Sequence, residues 1–487
     1  MSNRYILLFI PFICISQEKF TSSNLPIVVI NTHGQVIQDD PRIVCDMGII
    51  NNGFGNINSL NDSFNDYNGK ISIEIRGSSS QAFPKKSYAL ETQHLNGANN
   101  NISILGMPEE NDWILYASYS DKSLMRNVLT FNLARKMGNY ASRTMYCELV
   151  LNDEYQGIYV FMEKIKRDKN RVDIAKLDST SLSGDDLTGG YIIKIDKTTG
   201  SDFGSWLSEF PNLGGEALYI QHHYPESSEM PVEQLNYIKN YVNEFEHALD
   251  GPNFADNLMG YSKYINVNSF VDFFIISELS RNADAYRNST FLYKDKDSNS
   301  GKLIMGPFWD FNLAYGNINF CDGWKINGWQ QEGDCEDIKS SVFWFDRLMN
   351  DNSYQNLIKC RWAELRANIL HENSISHIID SVSILLNNAQ ERNFEKWDVL
   401  GTAIWPNYYI GKTYAQEVEL LKYWIFNRLS WMDSKIPDCG SADTIEPSFR
   451  ELLYIIDILG RQTKEVYNVP LFYVYDNGDV EKKLILF

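Results

Sequence analysis

Apolar and polar residues alternate along the first part of the chain and repeat every three to four residues along the second. An irregular lead-in over residues 17–65 holds the strand-like run LPIVVINT. After it, NGKISIEIRGSSSQAFPKKSYALETQ alternates on both sides of a Gly/Ser turn. Period-two alternation marks a half-buried strand, so Ile71, Ile73 and Ile75 belong to one arm of a hairpin and residues 87–92 to the other. In DKSLMRNVLTFNLARKMG, Leu124, Val128, Phe131 and Met137 fall near helical spacing. Asp121 is the expected N-cap and Gly138 the terminator. MYCELVLNDEYQGIYVFMEKI reads as a second hairpin turning at Asn152-Asp153. A basic run, KIKRDKNR, and a further strand, GGYIIKID, close this part.

The second part is helical. PVEQLNYIKNYVNEFEHALD sets Leu235, Ile238, Val242, Phe245 and Leu249 on one face, and VNSFVDFFIISELSR is apolar nearly all round, as a buried helix would be. Then come a loop, strands at 290–293 and 302–305 around a polar turn, and the stretch GPFWDFNLAYGN. Helices dominate from 341 to about 435. Prolines 437 and 447 precede a tail of alternating strands split by DNGD. The pattern gives an α+β chain, β-rich first and helical after. The expected divisions are a leader at 1–16, a main domain at 17–440 and a small β module at 441–487.

Composition narrows the function. The 487 residues are 44% hydrophobic, enough for a large core, and the formal net charge is −19. Nucleic acid and anionic membranes both select a basic face, so neither is expected as a partner. Arg4 followed by an apolar run over 5–15 is too short to span a bilayer and fits a secretory signal peptide cut after Ser16. A lipid-modified Cys14 and a buried N-terminal strand are the alternatives. No later segment suits a membrane span. Seven cysteines show no CxxC and none near a His pair, which excludes a zinc pattern. Cys321 and Cys335 share one loop-like stretch and could bridge in an oxidising compartment, against free buried thiols as the alternative.

A surface Asp needs no setting like that of Asp310, which follows Gly-Pro, lies between two aromatics and precedes another Gly. A metal-holding Asp after a strand would use it. A glycine-containing hairpin with lysines, a helix, an antiparallel pair, a loop with Asp284 and Asn288, a hairpin and then Asp310 follow the order of parts used in phosphoryl transfer by protein kinases. A triphosphate brings several negative charges, and catalysis on it is positioning and neutralisation. Folding the hairpin would bring Asn288 and Asp310 to one Mg²⁺.

These stretches resemble the CotH kinase family, the spore-coat-protein-H-like atypical protein kinases. The resemblance runs over about residues 70–320 through IRGSSSQAFPKKSYALE, DWILYASYSDKSLMRN, YQGIYVFMEKIK, TGGYIIKIDK, NADAYRNSTFLY and GPFWDFNLAYGN. It implies an atypical protein-kinase-like fold with a β-rich N-terminal lobe and a helical C-terminal lobe. It also implies ATP, Mg²⁺ or Mn²⁺, and a protein substrate, the chain itself included. By resemblance Asp284 is the acid-base position, Asn288 a metal helper and Asp310 the metal Asp. Many members carry a second Asp where this chain has Asn312, which would bind metal without adding charge.

Lys85 or Lys86 is the candidate phosphate lysine. The two point to opposite faces after Pro84, and Lys86 is favoured. Arg76 and Ser79 are candidates to cover phosphates, Glu163 to anchor ribose or link lobes, and Arg126 to touch phosphate. Each has a structural alternative: a turn Asp or Asn, a bridge from Asp310 to Arg287, a hairpin turn, a strand-end Glu, a solvated helix Arg. The basic run 164–171 could attract an acidic substrate or be a solvated turn. Trp309, Trp324, Trp329 and Trp344 read as aromatic core before binding surface, and His222 and His223 receive no role. The tail LYIIDILGRQTK…PLFYVYDNGDVEKKLILF resembles type IX secretion sorting domains, so both ends would engage export machinery. A non-catalytic surface or coat protein on the same fold is the main rival. A glycoside hydrolase with Asp284 and Asp310 as its carboxylate pair is the lesser one.

Overall fold

The computed structural model describes residues 20–197, 204–332, 335 and 341–440, with 452–456, 462–464, 466, 470–475 and 480–484 of the tail. The expected leader lies outside the described residues. Two compact units divide at Met1–Pro437 and Asp438–Phe487.

The alternating segments of the first part close on themselves. Strands Thr144–Leu151, Glu154–Glu163, Asp112–Tyr116, Ser87–Gln93, Tyr67–Arg76, Ile43–Ile50 and Ile27–Asn31 pair in that order into a barrel. The closing pair is parallel, with Ile27 opposite Glu148, and the other six are antiparallel. Val28, Met47, Ile71, Ile73, Leu90, Trp113, Leu149 and Phe161 fill its interior. The first hairpin forms from the two expected arms, with Ile73 opposite Leu90, and a short 3-10 turn, Ser79–Ala82, joins them. The second turns at Asn152 (φ 51°) and Asp153 (φ 62°), the left-handed pair that a two-residue hairpin needs.

The helix expected from Asp121 begins later. Helix α1 is Arg126–Lys136, and Leu124 at φ 63° interrupts the chain before it. Asp121 still serves the helix start, because its carboxylate accepts the Arg126 N–H at 2.9 Å. Gly138, at φ 95°, follows the helix end as expected.

A second antiparallel sheet supports everything downstream. Its order is Ser205–Leu207, Tyr219–Tyr224, Tyr191–Ile195, Thr290–Lys294, Leu303–Met305. Helices α2 (Val232–Asp250) and α3 (Val267–Ser280) pack with it. Ile238, Val242, Phe245 and Leu249 are buried, and α3 is buried on nearly every side. Helices α4 (Phe343–Leu348), α5 (Asn352–Ala367), α6 (Glu372–Lys396) and α7 (Tyr414–Asp433) complete the main unit. The protein is thus mixed α+β, with seven α-helices among the described residues. None of these is long and apolar enough to cross a membrane.

Side chains of α6 fasten it to the barrel. Asn393 Oδ1 accepts the Ile158 N–H at 3.1 Å and Lys85 Nζ at 2.9 Å, and Arg392 grips Glu148 at 2.6 Å. Trp344 is buried rather than displayed, and its indole donates to Glu246 of α2 at 2.9 Å. In the second unit the tail strands form a four-stranded antiparallel sheet ordered Gln462–Thr463, Leu452–Ile456, Pro470–Tyr475, Val480–Leu484.

Glu246 gives a test of this packing. Burial raises its carboxyl from the usual 4.5 to about 7, although Ser208 and Trp344 both donate to it. The folded state therefore keeps a proton that the unfolded chain releases, and stability falls as pH rises through that window. Between about pH 4.5 and pH 7, wild type is expected to lose roughly 3 kcal/mol relative to Glu246→Gln. Urea midpoints measured across that range check this, and parallel curves for the two proteins would remove Glu246 as the cause.

Candidate functional site

One turn and one hairpin assemble the central residues. Helix α3 ends at Arg281 in the left-handed region, φ 44°. In the turn that follows, Asn288 N–H reaches Asp284 O at 2.9 Å and Asn288 Nδ2 reaches Asp284 Oδ1 at 3.1 Å. Arg287 Nη2 lies 3.7 Å from the same carboxylate. Strands Thr290–Lys294 and Leu303–Met305 then carry the chain out and back, and Asp310 arrives beside the turn it left. Ser289 Oγ is 3.5 Å from Asp310 Oδ2, and Asn282 Nδ2 donates to Asp310 O at 3.1 Å.

The glycines around Asp310 have separate causes. Gly306 sits at φ 122°, where side-chain-bearing residues are strained. Gly316 (φ 75°) lies against Trp424, and a Cβ there would come within 2.5 Å of the indole ring. Asp310 itself is left-handed, φ 63°, a region Asp tolerates better than most residues. Its neighbours hold it there. Phe311 N–H donates to Asn127 of α1 at 2.6 Å, and Arg126 Nε donates to Ala314 O at 3.0 Å.

Charge is uneven at this point. Burial, then the Asp284 carboxylate, push the Asp310 carboxyl up to about 7, and Asp196 pushes the same way. Arg76 opposes them. Its guanidinium stacks on Trp309 at 5.5 Å, and burial draws its own pKa down. Asp284, Asn288, Asp310 and Arg76 are therefore brought together.

The remaining candidates stand elsewhere or are already engaged. Lys85 is buried, donates to Ile158 O at 2.5 Å and to Asn393, and drops to about 7 through burial. Lys86 does lie on the other side, but its ammonium caps Gln81 O at 2.6 Å. Ser79 is exposed in the 3-10 turn. Glu163 is fully buried and accepts from Arg143 N and Nη1, each at 2.8 Å, and from Tyr140 at 3.2 Å. Arg126 is buried against Asp121 at 2.5 Å and Ser123 at 3.1 Å. Asn312 leaves its buried Oδ1 without a hydrogen-bond partner. In the loop that follows, Cys321 and Cys335 form a disulfide, while Cys45 and Cys147 are free and buried.

Two residues near Asp310 escaped the sequence reading. Ser289 resembles any turn serine. Asp196 follows the strand Tyr191–Ile195, and the signal for it was the polar pair Lys194 and Asp196 on alternate positions of GGYIIKID.

The donor set fits a hard divalent cation. Asp284, Asn288, Asp310 and Asn312 offer only oxygen, the choice of Mg²⁺ and Mn²⁺. The like charges gathered on Asp310 and the unpartnered Asn312 oxygen, two residues further on, suit such a cation. Among the described residues no group of three or more His, Cys, Asp or Glu forms a ready cage. Mg²⁺ at phosphate sites needs only one or two carboxylates and takes water and phosphate besides.

Residues 73–432 match the profile of a family described as CotH kinase protein. No curated protein matches the chain.

A cation on Asp310 requires its ionised form. With the free carboxyl at about 7, Mn²⁺ is expected to bind about tenfold more weakly at pH 6 than at pH 8, with proton release on binding. Calorimetry in buffers of different ionisation enthalpy reads both quantities. Affinity flat across that range, or unchanged in Asp310→Asn, would take Asp310 out of the metal site.

Proposed function

Because the chain belongs to the CotH kinase family, we propose that it is an ATP- and divalent-cation-dependent protein kinase acting on Ser or Thr hydroxyls of a protein, its own included. In this reading the barrel unit serves as the β-rich lobe and α2 to α7 as the helical lobe. The gathering of Asp284, Asn288 and Asp310 by one turn and one hairpin, with Arg76 facing Asp310, carries the reading.

Each residue then has a task. Asp284 accepts the proton of the attacking hydroxyl as its oxygen bonds to the γ-phosphorus and the bond to the β,γ-bridging oxygen breaks, leaving ADP. Asn288 donates to Asp284 and so fixes which way its carboxylate faces. Asp310, with Asn288 or Asn312, would hold the divalent cation. That cation, when bound, neutralises charge on the phosphates. Arg76 adds a fixed positive charge, which phosphate needs and a glycosidase pair does not. Lys86 remains a candidate for phosphate if its hold on Gln81 opens.

Export is part of the proposal. Arg4 with the apolar run 5–15 and the sorting-like tail support a secreted or surface location, and the Cys321–Cys335 bridge suits an oxidising compartment. Asn312 favours a second reading, a surface protein that keeps the fold without transfer, because it brings no charge where the resemblance to the family implies an Asp.

Incubation of the full chain with γ-labelled ATP and Mg²⁺ or Mn²⁺ separates these. Asp284→Asn is expected to slow incorporation by about 10²-fold or more while leaving nucleotide binding intact, and Asp310→Ala to abolish transfer. Equal labelling by wild type and Asp284→Asn would sink the assignment of Asp284. Absence of both labelling and ATP binding in wild type would favour the non-catalytic reading.

A further inference from the structure

Lys194 is a positive side chain near the site that the family reading does not use. A bound triphosphate brings more negative charge than a single divalent ion cancels, so nearby cations matter. Several basic residues around the site are committed. Lys85 is locked between Ile158 and Asn393, and Arg126 is sealed against Asp121, Ser123 and Ala314. Arg287 holds Ala283 O at 2.7 Å and lies beside Asp284. Lys194 is held differently. Its ammonium lies 2.8 Å from Asp196 Oδ2, and both side chains are 22% exposed.

The sheet directs this pair toward the site. Along the strand Tyr191–Ile195, Tyr191, Ile193 and Ile195 enter the main core. Alternation puts Ile192, Lys194 and Asp196 on the other face, and Ile192 packs there in the cluster that includes Trp309. Ile195, the last paired residue, is opposite Thr290, the residue after Ser289, and Asp196 beyond it lies close enough to raise the Asp310 carboxyl. Ser289 in turn reaches Asp310. Lys194 thus stands on the face that carries Trp309 and one ion pair away from the residue beside the metal Asp.

We propose that Lys194 is the phosphate-directed cation of this site, parked on Asp196 in the free protein and transferred to the polyphosphate when nucleotide binds; the inference rests on the kinase reading. The Lys194–Asp196 pair keeps about a fifth of each side chain in contact with solvent, and a bound polyphosphate offers the ammonium more negative charge than the single carboxylate it leaves. A lysine on a flexible four-carbon stem acts as a movable point charge, as a buried or stacked guanidinium does not. Asp196 keeps the ammonium near the site without burying it.

Affinities of the full chain for Mn²⁺–ATP and for adenosine, measured by calorimetry in wild type, Lys194→Gln and Lys194→Arg, test this. Lys194→Gln is expected to weaken Mn²⁺–ATP by about tenfold or more, to leave adenosine unchanged and to melt with wild type. Lys194→Arg is expected to recover most of the ATP affinity. Equal ATP affinity in wild type and Lys194→Gln overturns the inference and leaves the kinase reading standing. A parallel loss of ATP and adenosine affinity, or a loss in Lys194→Arg as large as in Lys194→Gln, also overturns it. Failure of wild type to bind ATP removes both.

Discussion

The guanidinium of Arg126 is the fixed point from which the site is hung. It and Asp121 are each 1% exposed and lie 2.5 Å apart. Taking two charges out of water costs several kcal/mol per ion, and only a fully bonded pair recovers it. This pair is well supplied. Asp121 also receives the Ser123 hydroxyl and the Arg126 N–H, and Arg126 gives its remaining contacts to Ser123 and Ala314 O. Next to it Asn127 takes Phe311 N–H, and Thr130 meets the Tyr315 hydroxyl at 2.9 Å. From the opposite side Ser280 O of α3 accepts Tyr315 N–H at 2.7 Å, and Trp424 of α7 closes over Gly316. Three helices thereby hold the segment after Asp310, and Asp310 keeps a left-handed backbone that its own sequence would not choose.

The second organising fact is electrostatic. The fold sets Asp284 and Asp196 near Asp310 and allows Arg76 as the counter-charge within the same group. A deeper buried pair in α3 and α7 is better compensated. Glu278 and Arg428 are both fully buried, and Glu278 also accepts Gln330 N–H, Gln331 N–H and the Tyr286 hydroxyl. Around Asp310 like charges are left together, and that gathering is one of the observations on which the proposed cation site rests.

The sequence exposed much of this, and the gaps have physical reasons. Local periodicity gave the two hairpins, the amphipathic face of α2 and the all-apolar α3, because side-chain alternation and helical spacing are short-range properties. Barrel closure was not legible, since the pairing of Ile27–Asn31 with Thr144–Leu151 leaves no local mark. Asp121 was read as an ordinary cap, because its reach to a helix start five residues on depends on the positive φ at Leu124. Order along the chain foreshadowed the meeting of Asp284, Asn288 and Asp310. It could not reveal which basic residues were already occupied. The commitments of Arg126 and Lys85 depend on Ala314 and Asn393, 188 and 308 residues away. Asp196 went unassigned because a polar pair on alternate strand positions usually means no more than a wet face.

The parallel closing pair of the barrel has a consequence for biogenesis. Ile27 and Glu148 are partners although 121 residues separate them. In a chain made from its N-terminus, Ile27–Asn31 can pair early with Ile43–Ile50, but its other edge stays open until most of the barrel has been made. Such non-local pairing is slow to form and leaves a sticky edge while it waits. The interval before Thr144–Leu151 arrives is when a holding chaperone would matter most.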